Sequence, residues 1–282
     1  MLDATAPPAR PNLPALRADP RFPAAARQAA AGIVATYRGS AVMNRLLNDR
    51  GRFLLSLLAL ALHLEPPGGG RDGLTAGRLK AEAAALGICS PGRAGAVLAA
   101  FRLLGLVEAV PMPDRRLKRL AATPRFVDMH RRRWRALLEP MAAFMPEGAA
   151  GLAGLDDPAF LPLYVEALLS PFRAGWRLLD EVPVLAPFAD RDAGIVIALS
   201  LMGTAEDGTP PPIAHLARQF GVSRSHVLGM LRAGEEAGLL HRPDPRGGAV
   251  AAPALEEALR DFIACAFLMQ AQAVRRAGMA RG

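Results

Sequence analysis

Two short runs in this chain carry side chains suited to reading a polyanion. Ser223, Arg224, Ser225 and His226 follow Gly221-Val222 and open an apolar helical pattern. A Ser in that place caps a helix, because its hydroxyl accepts a hydrogen bond from a backbone N–H of the first turn. The next three side chains then project from that turn. There an Arg guanidinium can grip a guanine edge or a phosphate, a Ser hydroxyl can meet a phosphate, and a His ring can do either. Ser90-Pro91-Gly92-Arg93 opens a second such run, with Arg93 as its polar reader. A third set is a basic tip: Asp114, Arg115, Arg116, Lys118 and Arg119 lie around the turn between two short extended runs, and Arg246 follows Asp244-Pro245 in a similar place further on.

The charge is focused as well as plentiful. Residues 111–135 hold eight Arg and one Lys against Asp114 and Asp128, so +7 of the formal +8 sits there. Affinity for a nucleic-acid backbone scales with the number of phosphates neutralised in one place, so this segment is expected to face phosphate. The competing readings are a solvated basic helix and the Arg preference of a GC-rich genome. His130-Arg131-Arg132-Arg133-Trp134-Arg135 can extend the phosphate contact, clamp an acidic partner, or form an exposed helix face with Trp134 turned into the core.

Catalytic and metal chemistry find no support. The sequence has no phosphate loop, no nucleophile elbow and no His/Glu pair at helical spacing, and its five His are scattered. Cys89 and Cys265 lack the paired spacing of a zinc site or a disulfide framework, which points to a reducing cytoplasm. No enzyme activity, cofactor or metal is expected. Residues 53–62, FLLSLLALAL, are too short for a membrane span of about 20 residues, so no membrane association is expected. The N-terminus has no continuous apolar stretch of the secretory kind.

The elements that must position these residues are mostly helical. Residues 1–22 are rich in Pro and Ala and read as a mobile arm. From 23 to 64 the pattern is helical, with Gly51 as a break, and 66–70 (PPGGG) stops it. Helices follow at 75–86 and from Ser90 to Leu104-Gly105, then a hairpin with a basic tip. Residues 126–145 and 158–180 are helical, separated by a flexible stretch, PEGAAGLAGLDDP. Helices at 192–202, 211–220 and 223–237, a short wing (HRPDPRGGAV) and a final helix at 253–274 complete the chain.

Helix, helix, helix, basic hairpin thus occurs twice. Ser90 to Gly105 and Ser223 to Gly238 are equal intervals, and the inward positions match as Ala94 with Val227, Leu98 with Leu231 and Leu106 with Leu239. That is the winged-helix order. Val222 to Val227, Leu231 and Gly238-Leu239-Leu240 resemble the recognition helix of GntR-type winged-helix regulators. Asp114-Arg115-Arg116 with Leu117 to Leu120 resembles the wing of MarR-type regulators. The MarR-type resemblance implies that Asp114 holds Arg116 in a minor groove, a pairing repeated by Asp244 and Arg246.

The expected architecture is mainly α with short β-hairpin wings: two winged-helix modules, 23–125 and 186–282, joined by a helical linker, 126–185. The expected partner is double-stranded DNA, bound by a cytoplasmic homodimer whose interface uses the terminal helices. A small-molecule effector is a candidate further partner, with Trp176 and Tyr164 lining its pocket or else filling a plain core. The rival assignments are a plasmid-type replication initiator and a protein-interaction module of the chromosome-segregation kind.

Overall fold

The computed structural model describes residues 12–37, 44, 48–65, 73–111, 118–203, 210–244 and 247–280. It is mainly helical, with two small two-stranded antiparallel sheets. The elements are α1 (Asn12–Ala18), α2 (Phe22–Ala35), α3 (Arg50–Leu64), α4 (Ala76–Ala85), α5 (Pro91–Leu103), β1 (Val107–Ala109), β2 (Leu120–Ala122), α6 (Pro124–Met141), α7 (Pro146–Gly154) and α8 (Phe160–Arg173). After two 3₁₀ turns, Leu178–Glu181 and Pro183–Leu185, come α9 (Ala186–Ala189), α10 (Gly194–Ser200), α11 (Ile213–Phe220), α12 (Arg224–Glu236), β3 (Leu240–His241), β4 (Val250–Ala251) and α13 (Pro253–Met279).

Local chemistry sets most of these boundaries. Asp49, Thr75, Ser90 and Ser223 cap α3, α4, α5 and α12 by accepting a first-turn backbone N–H. Proline, whose missing N–H costs nothing in a first turn, opens α5, α6, α7 and α13. Gly51 is no break. It lies inside the first turn of α3, where Asp49 already satisfies the backbone.

The repeat extends to individual hydrogen bonds. Leu104 N–H donates to Ala100 O, Gly105 to Arg102 O and Leu106 to Phe101 O; 133 residues on, Ala237 donates to Ala233 O, Gly238 to Glu235 O and Leu239 to Gly234 O. Gly105 and Gly238 take φ of +65° and +70°, the left-handed residue that ends each helix. Each glycine then feeds a hairpin, with Val107 opposite Ala122 in one and Leu240 opposite Ala251 in the other. All six matched inward residues are buried. The first hairpin gains a third edge, because Leu120 N–H donates to Leu74 O just before α4. In the second copy Pro210-Pro211-Pro212 occupies the corresponding place before α11 and lies against Gly248.

Residues 126–185 do not form a tether between separate modules. α6 packs on α2, α8 packs on α3 and α13, and a single apolar core runs through both copies. The expected loop PEGAAGLAGLDDP is largely α7. Its glycines serve close packing: a Cβ on Gly148 would stand 2.3 Å from Ala142 N, one on Gly151 2.8 Å from Leu138, and one on Gly154 2.5 Å from the Phe160 ring. The expected arm also shortens. α1 docks on α13, with Leu16 buried and Arg17 paired with Asp261 at 2.8 Å and with Glu257; residues 1–11 of that arm lie outside the described set. α13 buries its FIACAFLM run within its own chain. The surplus apolar surface that suggested a dimer layer is therefore consumed internally, and Leu103, Val184 and Met279 are the exposed large hydrophobics among the described residues.

Candidate nucleic-acid interface

The first turns of α5 and α12 carry the described part of the candidate interface. In α12, Ser223 Oγ accepts from His226 N–H at 3.1 Å and lies 2.9 Å from Ser225 Oγ. Arg224 and Ser225 are exposed, and no ion pair holds Arg224 among the described residues. His226 behaves differently from its neighbours. Its Nε2 lies 2.9 Å from the Asp192 carbonyl oxygen, so the ring is turned toward the body of the protein and only part of it remains for a ligand.

In α5, Ser90 Oγ accepts from Arg93 N–H at 3.3 Å, and the Arg93 side chain, 55% exposed, reaches Asp49 at 3.2 Å. The outward stripe of α5 is Gly92, Ala96, Ala99 and Leu103, the last 88% exposed. Those four offer no side-chain donor; the exposed donors of this helix are Arg93 in its first turn and Arg102 in its last.

The two first turns are linked to each other. Arg93 meets Asp49, Asp49 meets Arg52 at 3.6 Å, Arg52 meets Asp192 at 3.1 Å, and the Asp192 carbonyl meets His226. Two further hydrogen bonds brace the same seam: Ala193 N–H donates to Asn48 O at 2.8 Å, and the Asn48 side-chain amide donates from Nδ2 to Phe220 O at 3.2 Å. Ala193 holds φ of +60°, the one positive φ outside glycine among the described residues, and it caps α10. A side chain there prefers other conformations, so tertiary contacts must hold the seam in this form. Sequence reasoning had no grip on Arg52 or Asp192. Asp49 did carry a signal, an acidic cap ahead of an apolar run.

The basic run divides when folded. Arg131 pairs with Asp128 at 3.1 Å and with Asp156 at 3.5 Å, and Arg135 with Asp156 at 2.9 Å. Arg133 lies over the Phe53 ring at 4.4 Å and donates to Tyr37 Oη at 2.7 Å. Trp134 is buried, and so is His130, whose pKa burial depresses from 6.5 to about 3. Arg132 is the member that stays exposed, so residues 130–135 form no continuous phosphate-facing strip. In the first hairpin Lys118 is exposed, and the Arg119 guanidinium lies against Gly73. Asp114, Arg115, Arg116 and Arg246 fall outside the described residues. In the second hairpin Asp244 is exposed, while Arg242, not singled out from the sequence, is buried and bound to Glu235 at 3.5 Å, fastening β3 to α12.

Among the described residues no group of His, Cys, Asp and Glu is arranged to hold a metal ion, and no helix is long and apolar enough to cross a membrane. Comparison of the chain with protein-family models, with curated proteins and with solved structures gives no match.

Proposed function

We propose that the chain is a double-stranded DNA-binding regulator built from two winged-helix units, in which α12 makes most of the sequence choice and the first hairpin most of the phosphate contact. The observation that carries this reading is the repeated helix, turn, capped helix and hairpin, with the same hydrogen bonds recurring 133 residues apart and both capped turns joined at one seam. In a helix-turn-helix protein the first turn of the second helix meets base edges, and the hairpin beside it meets the backbone. Arg224 and Ser225 suit the first task, Lys118 with Arg115 and Arg116 the second. The donor-poor stripe of α5 supports the same division: with Gly92, Ala96 and Ala99 outward, the first unit has little to say to base edges.

Selection of bound duplexes from a random pool, followed by titration of the winner against scrambled DNA at two salt concentrations, tests the reading. An enriched motif with a large preference over scrambled DNA is the expected result. Arg224→Ala should then cost about 1–3 kcal/mol on the preferred site and little on scrambled DNA. Replacing Arg115 and Arg116 with Ala should weaken both and flatten the salt dependence. Equal losses on both DNAs from the two changes would refute the division of labour. No duplex binding at physiological salt would refute the function.

A further inference from the structure

A cleft of about 280 Å³ is lined in part by residues of the seam. α3 lines it through Phe53, Leu54 and Leu57, and α10 through Ile195, Val196 and Leu199. α8 and the following turn contribute Phe172 and Trp176, and Asn48, Asp49 and Ala193 of the seam form part of the lining. This is the space of a small-molecule site, a largely apolar concavity with few polar groups, between two units that each carry a reading turn.

Its polar lining is uneven in charge. Arg50, Arg133, Arg177 and Arg191 line the cleft against one carboxylate, Asp49, which is already shared by Arg52 and Arg93. Arg177 is occupied, donating to the Phe172 and Trp176 carbonyls at 2.6 and 3.0 Å. Arg133 is held in place but not neutralised. Its guanidinium rests on Phe53 and donates to Tyr37 Oη, with no carboxylate partner among the described residues. A half-buried guanidinium on an apolar wall favours an anion there, because the charge-assisted pair gains strength as water is excluded.

We propose that this cleft is a regulatory site for a small apolar monocarboxylate, its body lying between α3 and α10 and its carboxylate on Arg133. The regulatory part rests on the DNA-binding reading; the binding part does not. The coupling follows from position. α3 and α10 begin at the residues that form the seam, Asp49-Arg50 on one side and Ala193-Gly194 on the other, and the seam ends on Arg93 and His226. A molecule that changes the spacing of α3 and α10 therefore shifts the turns of α5 and α12 against each other. It acts by its difference in affinity for the two spacings.

The chain supplies its own reporter, because both of its tryptophans, Trp134 and Trp176, line the cleft. The full chain, without DNA, is titrated with 1-naphthoate and separately with the uncharged 1-naphthalenemethanol, following tryptophan emission and the calorimetric heat. Naphthoate should bind about tenfold or more tightly than the alcohol. Arg133→Met should abolish that preference, and Arg133→Lys should retain part of it. Should Arg133→Met fail to fold, Ile195→Trp, which adds bulk to the α10 lining, should block both probes. Equal affinity for acid and alcohol, no binding at millimolar probe, or a preference unchanged by Arg133→Met would overturn the assignment. The same probe is then added to the selected duplex complex: a change of threefold or more in duplex affinity that Arg133→Met removes supports regulation, and an unchanged affinity refutes it. Naphthoate binding by a chain that binds no duplex would uphold the cleft and refute the DNA-binding function.

Discussion

Replacing His130 with Phe should alter the acid stability of the fold by an amount that the structure sets in advance. The imidazole is fully buried among aromatic rings, with centroids 6.1 Å from Phe53, 5.2 Å from Phe126 and 5.5 Å from Trp134, and neither ring nitrogen has a partner. Burial first, and the nearby Arg133 charge second, hold its pKa at about 3 instead of 6.5. Between those values the unfolded chain carries a proton that the folded chain refuses. The contribution of neutral His130 is thus complete above pH 6.5 and is lost as pH falls toward 3. The slope is about 1.4 kcal/mol per pH unit, so about 2 kcal/mol disappears between roughly pH 7.5 and pH 5. Phe fits an aromatic cluster and does not titrate; whatever its packing costs, that cost is the same at both pH values. Urea unfolding of His130→Phe and of the unaltered chain at the two pH values should show the difference in stability moving by about 2 kcal/mol in favour of Phe at the lower one. A movement below about 0.5 kcal/mol would mean that the folded imidazole accepts its proton normally, and the argument from burial would fail.

Three further perturbations test the packing and the seam. Gly148→Ala should cost about 3 kcal/mol or more, since its Cβ would press on Ala142 N at 2.3 Å, whereas Gly92→Ala, with nothing within 4 Å of its Cβ, should gain up to about 1 kcal/mol; a thermal melt that ranks them the other way would refute α7 as a close-packed helix. Asp49→Ala removes the cap of α3, leaves Arg93 without its carboxylate and Arg52 with Asp192, and should lower stability by about 1–2 kcal/mol in chemical denaturation; no change would refute Asp49 as the cap of α3. Glu235→Ala should expose the fastening of the second hairpin through faster amide exchange at β3 than at β1, because buried Arg242 loses its carboxylate; equal exchange would assign that hairpin's order to its backbone pairing.

What the sequence by itself determined is the set of features that depend on neighbours within a turn or two. The caps at Ser90 and Ser223, the prolines that open helices, the glycines at 105 and 238 that end them, and the equal spacing of the two copies are all legible in one dimension. Each is satisfied by backbone groups a few residues away. The tertiary structure decided everything that depends on which distant surface a side chain meets. Glycines at 148, 151 and 154 look like a flexible loop until α6, α13 and Phe160 come close enough to require them. The run 130–135 looks like one basic face until Asp156, Tyr37 and Phe53 divide it. His226 has the spacing of a base reader, and the Asp192 carbonyl turns its ring away. No local pattern in residues 48–54 or 192–199 announces the cleft between α3 and α10. It exists because two units share one core, and long-range packing alone sets the distance between them.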